Sequence, residues 1–181
     1  SLSDNTTGAA NVAVGVDALS ANTTGTRNIA IGRSAMPSAD TEDDNIAIGY
    51  QAMDANNAGG TGNIAVGNYA LDALTSGDYN TAVGLNALGA NTTGQENIAS
   101  GFRALLTNTT GSSNVAYGSG ALQLNTTASN NSAFGKDALY ANTTGASNTA
   151  VGQNSMYSNT TGATNTAIGY AALDSNTTGA T

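Results

Sequence analysis

Four acidic side chains crowd into one short stretch, Asp40, Glu42, Asp43 and Asp44, and are the densest concentration of ligating groups in the chain. Carboxylate oxygens suit a hard cation such as Ca²⁺, but this spacing matches neither an EF-hand loop nor a glycine-rich calcium roll, so the four are weak metal candidates and no cofactor is expected. Eight tetrads of the form N-T-T-G or N-T-T-A begin at Asn5, Asn22, Asn91, Asn108, Asn125, Asn142, Asn159 and Asn176. Each is an N-x-T acceptor for glycosylation. Each is also a turn whose stacked asparagines would form a hydrogen-bonding ladder. Catalysis has little to use: the chain has no His and no Cys, Lys136 is its sole lysine, and the remaining acids are dispersed. No nucleophile–base pair or carboxylate pair is implied, and no enzyme is expected. Tyr140 and Tyr157, one repeat apart, are read as a stacked packing pair rather than as a glycan platform.

The charge balance narrows the partners. Lys and Arg total 4 against 12 Asp and Glu, a net charge of −8. Phosphate backbones and anionic membranes need basic stripes, so neither nucleic acid nor a membrane surface is an expected partner. Charged residues are 9% of the 181, far below the roughly 25% of an ordinary globular chain. Asn, Thr, Ala and 23 Gly fill the deficit, which suits stacked backbone and polar ladders better than a charged globular shell.

The elements that position these residues come from a repeat. The pentamer N-x-A-x-G begins at Asn11, Asn28, Asn45, Asn63, Asn80, Asn97, Asn114, Asn131, Asn148 and Asn165, at intervals of 17 residues with a single 18. The unit reads N-x-A-x-G-x-x-A-L-x-x-N-T-T-G-x-x, and its positions are numbered one to seventeen from the first Asn. Seventeen residues are too few for two packed helices, and the Gly and N-T-T-G would break them. Alternating β-branched residues in N-I-A-I-G predict a short strand, A-L-x-x a second strand or extended segment, and N-T-T-G a turn. The fold expected is all-β, a parallel β-solenoid of 17-residue coils spanning 1–181 as one unit. Neither terminus departs from the repeat, so the chain reads as an uncapped section of a longer one.

Alternation along the strand assigns faces. The alanines of position three (Ala13, Ala30, Ala47, Ala65, Ala82 and their successors) and the Leu or Met of position nine (Leu19, Leu71, Leu88, Leu105, Leu122) are the predicted interior. Positions two and four then point the other way. In Ile29, Ile31, Ile46, Ile48, Ile64 and Val66 they are apolar over three adjacent rungs, which predicts burial against further copies of the chain. Three consecutive repeats replace N-T-T-G, with Ala39–Asp44, Asn56–Gly62 and Leu74–Tyr79. They predict one irregular patch, read first as drift in a solvated turn and second as a ligand surface.

Asn45-Ile-Ala-Ile-Gly-Tyr-Gln-Ala-Met53 and Asn80-Thr-Ala-Val-Gly-Leu-Asn-Ala-Leu88 resemble the head repeats of trimeric autotransporter adhesins. N-T-A-x-G-x-x-A-L arrays of phage tail-fibre and bacterial surface-fibre proteins are similar. The resemblance covers the whole chain and differs in repeat length, the N-T-T-G turn lengthening the coil. It implies a left-handed parallel β-roll, a homotrimer around one axis, an extracellular, cell-surface or virion location, and attachment to a host-surface glycan or protein. The residues alone leave open a triangular single-chain helix. The expected function is a non-enzymatic fibre segment, with an inert structural filament or spacer, or an ice-binding solenoid, as alternatives.

Overall fold

The computed structural model describes residues 1–55 and 60–179. Ten three-residue strands follow in chain order: β1 (Val12–Val14), β2 (Ile29–Ile31), β3 (Ile46–Ile48), β4 (Ile64–Val66), β5 (Thr81–Val83), β6 (Ile98–Ser100), β7 (Val115–Tyr117), β8 (Ser132–Phe134), β9 (Thr149–Val151) and β10 (Thr166–Ile168). They form one sheet in sequence order, every neighbouring pair parallel. Each residue pairs with its equivalent one repeat on, as in Ala30 with Ala47, and the 18-residue interval keeps register, Ala47 pairing with Ala65. The fold is an all-β parallel β-solenoid of coils of about 17 residues, with no helix among the described residues. Rungs spaced about 4.8 Å apart make the sheet roughly 43 Å long.

The interior is thin. Ala30, Ala47, Ala65 and Ala82 at position three, the alanines of position eight from Ala18 to Ala138, and Leu19, Met36, Met53, Leu71, Leu88, Leu105, Leu122, Leu139 and Met156 at position nine are all fully buried. Ala13, in an outermost coil, is half-buried against the same core. Ser155 replaces alanine once, and its buried hydroxyl donates to the Ala167 carbonyl at 3.1 Å. Gly fills position five because the chain turns there at φ between 126° and 142°, a region essentially closed to other residues. A Cβ at Gly32 would also land on the carbonyl of Gly49 in the next coil.

The segment expected as a second strand is a turn instead. Positions seven and nine are left-handed in almost every coil, and at position nine φ lies between 48° and 53°. Such a conformation costs an L-residue roughly 1–2 kcal/mol. Burying a Leu side chain returns about 1.5–3 kcal/mol. The turn also aims the position-nine N–H at the next coil, as from Leu88 to the Ala104 carbonyl at 3.0 Å. Tertiary burial therefore decides a conformation that the local sequence disfavours.

Asparagine columns at positions one and twelve complete the coils, the second interrupted at Ala39 and Leu74. At position one the backbone N–H of each Asn donates to the side-chain oxygen of the preceding Asn at 2.8–3.0 Å, from Asn28 to Asn165. At position twelve each Nδ2 donates to the preceding Oδ1 at 2.8–3.0 Å. The carbonyl of position fifteen receives both columns: that of Gly111 accepts from Asn97 at 2.8 Å and from Asn108 at 2.9 Å. Two side chains on one carbonyl thus close the coil, and among the described residues the buried amide groups are satisfied as burial demands, the side-chain oxygen of Asn22 excepted.

Candidate assembly face

The outer side of the strands is where the rod meets its surroundings. Ile29, Ile46 and Ile64 at position two are half-buried, and Ile31 and Ile48 at position four are 37% and 36% exposed. Val66 is half-buried in the same column. All six point away from the coil interior, as alternation requires. Position four continues as Val83, Ser100, Tyr117, Phe134, Val151 and Ile168, so one apolar column runs along the rod with a single polar interruption. Column two is apolar from Val12 through Ile64 and mixed thereafter, with Thr81, Ser132, Thr149 and Thr166, so both columns are apolar together over the first four rungs, a contiguous face of the kind that marks interaction sites.

At two rungs the columns differ sharply in side-chain size. Where column four shrinks to Ser100, column two holds Ile98; where column four grows to Phe134, column two shrinks to Ser132. Tyr117 and Phe134 stack with ring centroids 5.6 Å apart and planes 5° from parallel.

Tyr140 and Tyr157 stack as expected, 5.1 Å apart and within 5° of parallel, and Gln123 donates to the Tyr140 hydroxyl at 3.4 Å. Each ring covers one face of the other. Tyr50 meets Tyr69 edge-on at 5.4 Å with Arg33 above its ring.

The acidic stretch does not converge. Asp40 accepts the Thr23 hydroxyl, Asp43 accepts the Thr26 N–H and hydroxyl at 2.6 and 2.8 Å, and Asp44 pairs with Arg27 at 2.5 and 2.7 Å. That hydrogen bond, with the attraction between the charges, holds the Asp44 carboxyl below its ordinary value. Glu42 turns inward, buried, and accepts the N–H groups of Asp40 and Thr41. Among the described residues no three acidic, His or Cys side chains are gathered for a metal. Asn56, Asn57, Ala58 and Gly59 of the irregular patch lie outside the described residues. In that patch Ala39 and Leu74, both fully buried, replace the position-twelve Asn. The side-chain oxygen of Asn22, one coil before Ala39, is buried with no partner. Next along the rod, burial, with the neighbouring Asp54 charge adding, raises the Asp72 carboxyl above its ordinary value.

The eight sequon asparagines do form the predicted turn ladder, in two runs separated by the patch, but the site they offer a sugar is closed. Asn22, Asn91, Asn108, Asn125, Asn142 and Asn159 are fully buried; Asn5 is exposed and Asn176 half-buried. A ninth sequon, Asn130-Asn131-Ser132, escaped the sequence reading because it straddles the repeat boundary. Asn130 is exposed, at φ 63°.

No family model matches the chain, and neither a curated protein nor a solved structure matches it.

Proposed function

We propose that the chain is a segment of a non-enzymatic extracellular fibre, in which copies of the rod stand side by side, parallel and in register, and carry an appendage to the surface it attaches to. The outward apolar face, with position four apolar along the rod but for Ser100, carries this reading. Ser132 of one copy makes room for Phe134 of its neighbour only when equal rungs meet. Three chains around a common axis close such a face with cyclic symmetry and leave the N-T-T-G turns outward. The resemblance to trimeric adhesin head repeats points the same way, and a host-surface glycan or protein is the partner it suggests. The ice-binding alternative is weakened by the threonines of position thirteen. Their hydroxyls donate to the next coil's carbonyl, as from Thr109 to Thr126 at 3.1 Å, and so leave the water-facing array.

Sedimentation velocity tests the assembly. The chain is expected to run as a trimer, and Ile31→Glu with Ile48→Glu to release monomers that keep the β signal in circular dichroism. A wild-type monomer at micromolar concentration sinks the assembly reading. Binding of the trimer to a glycan array or to cells separates an attachment segment from an inert spacer, and thermal-hysteresis activity would revive the ice-binding alternative.

A further inference from the structure

The position-twelve asparagines carry a conflict between two fates of one nitrogen. In Asn108, Asn125, Asn142 and Asn159 both Nδ2 hydrogens are in use, one on the preceding Asn oxygen at 2.9 Å, the other on the position-fifteen carbonyl at 2.9–3.0 Å. All four side chains are fully buried between neighbouring coils. Each is also the acceptor of an N-T-T sequon, so an unfolded chain displays as a modification site what the folded chain uses as a structural strut.

We infer that N-glycosylation of this ladder and the folded solenoid exclude one another, so that an N-x-T-specific glycosyltransferase meeting the chain before it folds locks it out of the rod. In that transfer the Nδ2 lone pair forms a bond to the anomeric carbon of the sugar. The bond from that carbon to the nucleotide diphosphate breaks, the diphosphate leaves with the electron pair, and one Nδ2 proton passes to solvent. The product keeps one N–H where the ladder needs two, so one buried acceptor loses its partner. It also puts a hexose where the next coil must stack, in an interior packed without room for one. The folded rod protects itself, because its Nδ2 atoms are covered. The order of folding and modification therefore decides the outcome.

The third residue of each sequon provides a clean control. Thr93, Thr110, Thr127, Thr144 and Thr161 at position fourteen are exposed and take no part in the asparagine ladder. Replacing these five with Ala, in a chain that also carries Thr24→Ala so that the buried Asn22 is no acceptor either, removes the recognition at every fully buried sequon while leaving the ladder intact. The experiment treats the chain with a soluble N-glycosyltransferase and UDP-glucose, once as the native rod and once unfolded in urea at a concentration the enzyme tolerates. Sites are mapped by mass spectrometry, and refolding is followed by circular dichroism after dilution. Expected are no glucose on Asn108, Asn125, Asn142 and Asn159 of the rod, glucose on them in the unfolded chain, and loss of the β signal's return in the modified fraction. The alanine variant, treated identically, is expected to refold. Glucose on those four positions of the native rod overturns the inference, as does a modified chain that regains the rod. An unfolded chain that accepts no sugar there, or an alanine variant that also fails to refold after treatment, overturns it too.

Discussion

At the scale of single residues, the buried asparagines and leucines set the stability of each coil. Asn125→Ala strands the Asn108 side-chain oxygen and one N–H of Asn142, both fully buried. With each unsatisfied group costing about 1–3 kcal/mol, the loss should be about 2–4 kcal/mol in urea melts. Asn22→Ala should cost about 1 kcal/mol or less, because its oxygen already lacks a partner and the Gly25 carbonyl keeps its bond from Asn11. Equal losses would mean the ladder contributes nothing beyond packing. Leu88→Asp buries a charge with no counter-ion and should cost about 3–5 kcal/mol. Leu88→Met should cost less than about 1.5 kcal/mol, since Met36, Met53 and Met156 already occupy that column. Asp72 adds a pH dependence. Its folded-state pKa is raised by burial and by Asp54, so the folded chain holds that proton more tightly than the unfolded one. Stability therefore falls as pH rises from the ordinary carboxylate value through the raised one. Asp72→Asn should raise the melting temperature at neutral pH and lose that advantage below the ordinary value; an advantage that persists in acid would point to another cause.

Among the elements, the strand and the turns differ in how openly the sequence declares them. Amide exchange should show the consequence of the ladder's interruption. The position-twelve run is continuous from Asn91 to Asn176 and broken at Ala39 and Leu74. The N–H of Val115, bonded to the Asn131 carbonyl at 2.8 Å, should exchange more slowly than that of Ile46, bonded to Asn63 at the same distance. Equal protection would show that the rod opens as one unit. The strand positions and their register were legible because N-x-A-x-G alternates and recurs at a fixed interval, so each rung names its partner. The left-handed turn at Leu88 was not legible, since Leu favours no positive φ and only burial in the stacked coil makes that conformation worthwhile. The closed sequons were hidden for a related reason. N-T-T-G reads as a solvent-facing turn, and only the stacked geometry shows that its Asn points inward while position-fourteen Thr points out.

At the scale of the whole molecule, the prediction concerns the layer that neighbouring rods would share. Ser132 lies on the outer face, so Ser132→Phe should leave the melting of a dilute, dissociated rod unchanged. In parallel, in-register assembly it would overfill the layer opposite Phe134, at a cost of about 1–3 kcal/mol. Association measured by sedimentation should then weaken roughly tenfold or more. A stronger association would show that added apolar surface is simply buried without a shared layer, and would count against equal rungs meeting. The acidic stretch is instructive at this scale as well. As a string of letters Asp40–Asp44 looks like a cation site, but the coil distributes its carboxylates to Thr23, Thr26, Arg27 and the turn's own N–H groups. Proximity along a chain is not convergence in a solenoid, where the nearest neighbours are one coil away.

The hydrogen bonds between coils all lie along the length of the rod, such as Ile29 to Asn45 at 2.8 Å and Gly32 to Val14 at 2.8 Å. Tension applied at the two ends therefore loads successive coils in series, and the outermost coil, supported from one side only, yields first. Each coil that yields exchanges a rise of about 4.8 Å for nearly 60 Å of extended chain, so the rod lengthens in steps of about 5 nm. In the proposed fibre, a rod built this way would absorb mechanical work by extending, and would recoil by restacking on the intact coils below.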